Sequence, residues 1–359
     1  MKWSNKITEL LNIDFPIVQA PMFGVTTPDM VAATSNIACL GSLALGDLDA
    51  NKSVEVIRKT KQLTNKPFAV NIFVHDIPEI TNTLKSKYTK SKNFIEQFAC
   101  QNNLHVNLPT IDELTINSYH EQIEAIISEN CKIVSFTFGN LDQQSIDKLK
   151  HNGTILIGTC TSIEEAIVLE NSGIDIICVQ GLEAGGHRGS FVTDQIPKIG
   201  GLSLLSKVNE TVKVPIIYAG GIYDGKTLLA TKILGANGFQ IGSLLLGSTE
   251  SGLQDFEKKR LRKVKENEIV LTKSFSGRFA RGIKNTYISE IENTEYILPY
   301  PYQNKLTNEL RKIAKLNKNT EFLSIWVGQS INEFSDNSTA QIIKNLIKQT
   351  ETINSKSAL

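Results

Sequence analysis

The chain has 359 residues, 38 Lys and Arg against 37 Asp and Glu, and a formal net charge of +1. That balance argues against a nucleic-acid partner or an anionic membrane surface. A hydrophobic fraction of 41% is that of an ordinary globular protein, long enough for one large domain or a barrel with an appendage.

The first segment, MKWSNKITELLNIDFP, mixes polar and apolar residues and lacks the apolar core of a signal peptide. No apolar run approaches the length of a membrane span, so a cytoplasmic protein is expected. PIVQA (16–20) then opens a series of short, β-branched runs, followed by IACLGSLAL (37–45) and PFAVNIF (67–73). The stretch 74–131, rich in Lys, Asn and Thr, is too long for one crossover and predicts extra helices or a lid. KIVSFTF (132–138), TILIGTC (154–160), IDIICVQ (174–180), VPIIYAG (214–220) and GFQIGS (238–243) complete eight runs. They are too apolar to have a wet face, as parallel strands buried on both sides are. Helical patterns lie between them: SIEEAIVLENSG (162–173) starts at a Ser cap and stops at Gly, and DGKTLLATKILGA (224–236) spaces Leu228, Leu229 and Ile233 on one face. After residue 253 further helical patterns follow, including EKKRLRKVKENE, which reads as a solvated face. Five cysteines without CxxC spacing fit free thiols in a reducing compartment.

Eight strand–helix alternations predict an α/β fold, a (β/α)8 barrel, with a doubly wound open sheet as the alternative. The barrel is expected over 1–252, with 74–131 inserted, and a mainly helical region over 253–359 packing on it. The glycines and polar residues gather at the C-terminal ends of the strands: APM (20–22), Asn71, Gln180 with QGLEAGGHRGS (180–190), AGGI (219–222) and QIGS (240–243). In a barrel these ends share one rim, where the active site forms. AGGI and QIGS follow strands seven and eight and predict a phosphate-bearing ligand. GGIYDGKT (220–227) matches a P-loop literally, but Asp224 would face the phosphates and no later strand supplies a Mg²⁺ ligand. No GxGxxG occurs.

His187, set among glycines on that rim and close in sequence to Glu183, is the candidate proton-handling residue, since imidazole titrates near neutral pH. His75, His105, His120 and His151 fall in loops or polar helices. No second His or Cys stands at metal-ligand spacing, so no metal is expected.

With these residues in view, QGLEAGGHRG resembles the signature of the nitronate monooxygenases. PIVQAPMFGV (16–25), Asn71 in FAVNIF, VSFTFG (134–139), YAGGI and QIGS follow in order. FSGRFARG (275–282), LPYPYQNKLT (298–307) and WVGQ (326–329) resemble the class I members. EAGGH alone is also similar to flavin-dependent enoyl-acyl carrier protein reductases. The resemblance implies a TIM barrel holding FMN through Met22 (by its backbone), Asn71, Gln180, Gly185, Gly221, Gln240, Ile241, Gly242 and Ser243, with His187 catalytic. It implies oxidation of a nitronate of the propionate 3-nitronate type by O₂ to a carbonyl compound and nitrite, a detoxification. His187 would orient or electrostatically hold the anion, with Arg188 assisting; Tyr300 and Tyr302 would wall the pocket or simply pack. The partners implied are the nitronate and O₂, in a monomer or homodimer without nucleic acid or membrane; the alternative is an NAD(P)H reductase of the enoyl-thioester type. Two positions depart from the class pattern. Thr137 replaces a common histidine, leaving His187 as the only evident pocket imidazole, and Phe279 replaces a common proline.

Overall fold

The computed structural model describes residues 2–193 and 195–357. Its strands fall where the apolar runs predict: β1 (Ile17–Gln19), β2 (Gly41–Gly46), β3 (Phe68–Phe73), β4 (Ile133–Thr137), β5 (Ile155–Cys160) and β6 (Ile176–Gln180). After the two-residue β7 (Gly186–His187) come β8 (Ile216–Ala219) and β9 (Gly238–Ile241). All except β7 form one parallel eight-stranded sheet in the order β1-β9-β8-β6-β5-β4-β3-β2. The Val18–Leu40 bridge brings its two edges together, so the sheet closes as a barrel rather than an open doubly wound sheet.

Side chains alternate across each strand. Val18, Ala69, Ile133, Ile157, Ile176, Cys178 and Ile217 point inward at the lower end, packed with Ile7 and Leu11 of α1 (Lys6–Leu11), which plugs that end. Ile17, Val70, Val134, Leu156, Ile177, Val179 and Ile216 point outward to the surrounding helices. Those helices are α2 (Pro28–Ser35) and α3 (Ala50–Leu63), then, beyond α4 (Asn82–Gln101), α5 (Tyr119–Ser128), α6 (Gln143–His151), α7 (Ile163–Asn171), α8 (Gly201–Thr211) and α9 (Gly225–Ile233).

A second core joins α4 to the chain beyond β9: α10 (Asp255–Leu261), β10 (Ile269–Thr272), β11 (Ala280–Ile283), α11 (Thr286–Ile291) and α12 (Tyr302–Leu316). Segments far apart in sequence therefore form one body over the barrel mouth. The last helix, α13 (Thr339–Ser357), returns to the barrel between α9 and α2, and Ile342, Ile343, Leu346 and Ile347 join the outer barrel core. Gly225 lets it approach: a Cβ there would stand 2.6 Å from the Thr350 backbone nitrogen. Among the described residues, no helix is long and apolar enough to cross a membrane.

Candidate active site

Inward positions turn polar towards the C-terminal ends of the strands. Asn71 on β3 and Ser135 on β4 meet there, the Asn71 amide donating to Ser135 Oγ at 2.9 Å. Gln180 and Gln240 end the inward rows of β6 and β9. The loop after β6 folds back over this layer, and a Cβ on Gly189 would lie 2.8 Å from Thr137 Oγ1 and 2.9 Å from Thr159 Cγ2. Thr137 therefore sits under the loop backbone.

Gln180 braces that loop at both ends of its amide, donating to the His187 carbonyl at 2.9 Å and accepting from Gly189 N–H at 3.0 Å. Gly186 holds φ +74°, a left-handed conformation natural to glycine. It lets the chain turn into β7, where Gly186 and His187 pair antiparallel with Arg281 and Ala280 of β11. EAGGH and FSGRFARG are thus adjacent strands. The WVGQ segment adds a third line. Gly282 bridges to Trp326, Gly328 N–H donates to Ser243 Oγ at 2.9 Å, and a Cβ on Gly185 would stand 2.4 Å from the Gly328 nitrogen.

His187 is half-buried by area, with its ring among Phe138, Trp326 and Ser276. The ring centroids of Phe138 and Trp326 lie 5.5 and 5.4 Å away, both edge-on. Burial lowers its pKa to about 3, with the Arg278 and Arg311 charges adding to the shift. In the free protein His187 is therefore neutral at ordinary pH and supplies no positive charge. Nε2 lies 2.8 Å from Ser276 Oγ, which itself donates to the Arg278 carbonyl at 3.0 Å. A hydroxyl has one proton, so Ser276 accepts from His187 and fixes the Nε2–H tautomer, leaving Nδ1 as a base.

Charge enters through Arg278. Its guanidinium lies 4.6 Å over the Phe138 ring and donates to the Ser190 carbonyl at 2.5 Å. Arg188, expected to assist with the substrate, is instead buried. It donates to the carbonyls of Gly181 and Gln180 at 2.5 and 3.1 Å, so it staples the loop. Burial pulls its pKa down to about 10, still a cation at neutral pH. Glu183 turns from His187 to accept from the Tyr218 hydroxyl, with Arg188 and Arg281 offsetting its charge.

Phe138 holds φ +78°, strained for an aromatic residue and of a kind that clusters at functional sites. Its ring meets Tyr300 at 5.5 Å, and Tyr300 meets His75 at 4.6 Å, both edge-to-face. His75 stands two residues past β3, beside the strand that ends in Thr137. It brings a second imidazole to the rim, which corrects the expectation of His187 alone. Sequence reading also left Ser276 and Arg278 without a role, although FSGRFARG contains both; their distance from the barrel strands hid them. Tyr302 buries its hydroxyl against the Pro78 carbonyl at 2.5 Å and is packing.

Gly220 and Gly221, with φ +129° and +69°, form a turn that non-glycine residues resist, directly beside Gly242 and Ser243 at the end of the neighbouring strand. Bare backbone at two adjacent strand ends suits a phosphate, and the polar layer of Asn71, Gln180 and Gln240 suits the edge of a flat heterocycle. FMN, which the resemblance implies, fits this donor set. Ile241 points outward into the barrel core, so only its backbone faces the rim. The Met22 backbone is engaged with Thr26, its N–H donating to Thr26 Oγ1 at 3.0 Å, and its sulfur lies near Gly242. The P-loop-like GGIYDGKT is a helix cap: Asp224 accepts from Thr227 N–H at 2.8 Å and Lys226 faces solvent. Among the described residues no group of three or more His, Cys, Asp or Glu is placed to hold a metal.

The family model described as nitronate monooxygenase matches residues 4–349. A probable nitronate monooxygenase of Staphylococcus saprophyticus is 37% identical over 98% of this chain and 99% of its own. One from Staphylococcus aureus is 37% identical over 96% and 97%. Among solved structures, a nitroalkane oxidase from Streptomyces ansochromogenes superposes with a TM-score of 0.88 at 30% identity, covering 98% of this chain and 99% of that one. FabK from Thermotoga maritima gives 0.74 at 26%, covering 99% and 98%.

Proposed function

The chain belongs to the nitronate monooxygenase family of oxidoreductases, and from that premise we propose that it oxidises alkyl nitronates of the propionate 3-nitronate type with O₂, using FMN, as a detoxification. The observation that carries this reading is a neutral, Ser-tethered imidazole beside a guanidinium on the glycine-lined rim. FMN would be held by Asn71, Gln180, Gly185, Gly221 and Gln240 through Ser243, with Met22 alongside, and when bound it supplies the electron transfer to O₂.

A nitronate arrives already deprotonated. It needs orientation and a positive field rather than a strong base. Arg278 supplies the field, and His187, its one N–H committed to Ser276, orients the substrate by ring contact and presents Nδ1 as an acceptor. The aromatic wall of Phe138, Trp326 and Tyr300 excludes water and strengthens both. A neutral nitroalkane would have to give its α-proton to Nδ1 of His187, a base weakened by burial, so nitronates are favoured over nitroalkanes. The free thiols of Cys39, Cys131, Cys160 and Cys178 support action in the cytoplasm.

The test is oxygen uptake by the FMN-loaded protein on addition of propionate 3-nitronate without NAD(P)H. Uptake with nitrite release is expected, falling about 10²–10⁴-fold in His187→Asn on neutral nitroalkane with FMN retained. Absence of uptake together with rapid flavin bleaching by NADH or NADPH would instead indicate the enoyl-thioester reductase.

A further inference from the structure

We propose that His75, with Tyr300, is the specificity-determining end of the pocket and takes an oxygen-bearing tail of the substrate, a carboxylate, while Arg278, beside the His187 ring, holds the nitronate head. The inference rests on the reading of this site as a nitronate pocket.

Both ring nitrogens of His75 are buried without a hydrogen-bond partner among the described residues, and so is the Tyr300 hydroxyl. The Phe73 carbonyl lies near the His75 ring, outside hydrogen-bonding geometry. Burial and the Arg278 charge lower the His75 pKa to about 4, so the ring is neutral and carries one N–H donor. Leaving a buried polar group unmade costs about 1–3 kcal/mol, so the two donors among these three atoms, the imidazole N–H and the phenol O–H on neighbouring rings, point to a ligand that accepts from them.

The surroundings define that ligand. Arg278 acts on His75, Tyr300 and His187 together, and Arg311 on Tyr300 and His187. Two acids oppose that field at His75: Asp47, held by Lys305 at 2.8 Å, and the solvent-exposed Asp76. Two neutral donors in a positive field suit oxygen acceptors on an anion. Between the two ends stands the apolar face of Phe138, in contact with both His187 and Tyr300. A short carbon chain spans such a wall. An alkyl nitronate would reach only the His187 end and leave the other donors unmade, which is the arrangement that discriminates most strongly between substrates.

The experiment compares propionate 3-nitronate with propyl-1-nitronate, which share the head and differ in the carboxylate. The ratio of their kcat/KM values is measured in wild type, His75→Leu, His75→Asn and Tyr300→Phe. The ratio is expected to favour the carboxylate in wild type and to fall about tenfold or more in His75→Leu, through KM. His75→Asn, which keeps a donor, is expected to restore part of it, and Tyr300→Phe to lower it less. Calorimetric binding of unreactive succinate and butyrate to the same FMN-loaded proteins gives a readout independent of turnover, succinate being expected to lose its advantage in His75→Leu. An unchanged ratio and unchanged succinate binding in His75→Leu and Tyr300→Phe would overturn the assignment. Succinate binding that depends on His75 in a protein that oxidises neither nitronate would keep the tail site and remove the proposed function.

Discussion

At the scale of single residues, Ser276 decides which nitrogen of His187 is free. Its proton goes to the Arg278 carbonyl, so the hydroxyl accepts from Nε2. Ser276→Ala is expected to lower kcat about 5–30-fold, the worth of one hydrogen bond of about 1–2 kcal/mol, while FMN stays bound. Unchanged turnover would show that the ring holds its orientation through Phe138 and Trp326 alone. The same burial sets a pH dependence. The native rings of His187 and His75 protonate only near pH 3 and 4, whereas in the unfolded chain they protonate near 6.5. Below about pH 6.5 the unfolded state therefore binds more protons, and stability falls as the pH drops towards those values. Between pH 6.5 and 5 each ring is expected to cost about 1–2 kcal/mol, and His187→Gln should flatten that part of the urea-unfolding profile.

At the scale of elements, the site is built by pairing distant segments. β7 has only two residues and no stability of its own; β11 and the Trp326–Gly328 segment hold it. Gly185 is the closest approach, since a methyl group added there would meet the Gly328 nitrogen at 2.4 Å. Gly185→Ala is expected to destabilise by about 1–3 kcal/mol and to weaken FMN retention, because backbone rather than a flexible side chain must move. Gly186→Ala meets nothing within 4 Å and should cost only the φ +74° strain, about 1–2 kcal/mol. FMN retention weakened in Gly186→Ala but unchanged in Gly185→Ala would contradict this account of the turn.

At the scale of the whole molecule, the two cores are joined rather than stacked. Met22 packs against both, and α13 passes from the second body back to the barrel. Unfolding should therefore be one cooperative transition by both near- and far-ultraviolet circular dichroism. FMN at about 100 times its Kd is expected to add about 2.7 kcal/mol and raise the midpoint by a few degrees. Two separate transitions, or a midpoint indifferent to FMN, would count against a single body with the cofactor at its junction.

The tertiary contact between Val18 and Leu40 closed the sheet and excluded the open alternative. The sequence by itself determined the eight strands, each an apolar run, since a segment hydrophobic on both faces must be covered on both. It also placed His187 and the glycine turns on one rim, because a parallel barrel sends all strand ends to the same face. The tertiary structure alone decided what surrounds His187. Ser276, Arg278 and Trp326 come from beyond the last barrel strand, and no local pattern encodes a contact across some 90 to 140 residues. Arg188 and His75 show the same limit in opposite directions. One arginine beside the candidate histidine turned into the loop as a staple, and one loop histidine turned onto the ring path. Local sequence sets where a backbone emerges; which way a long polar side chain turns depends on which buried donors and acceptors the rest of the chain leaves unmatched.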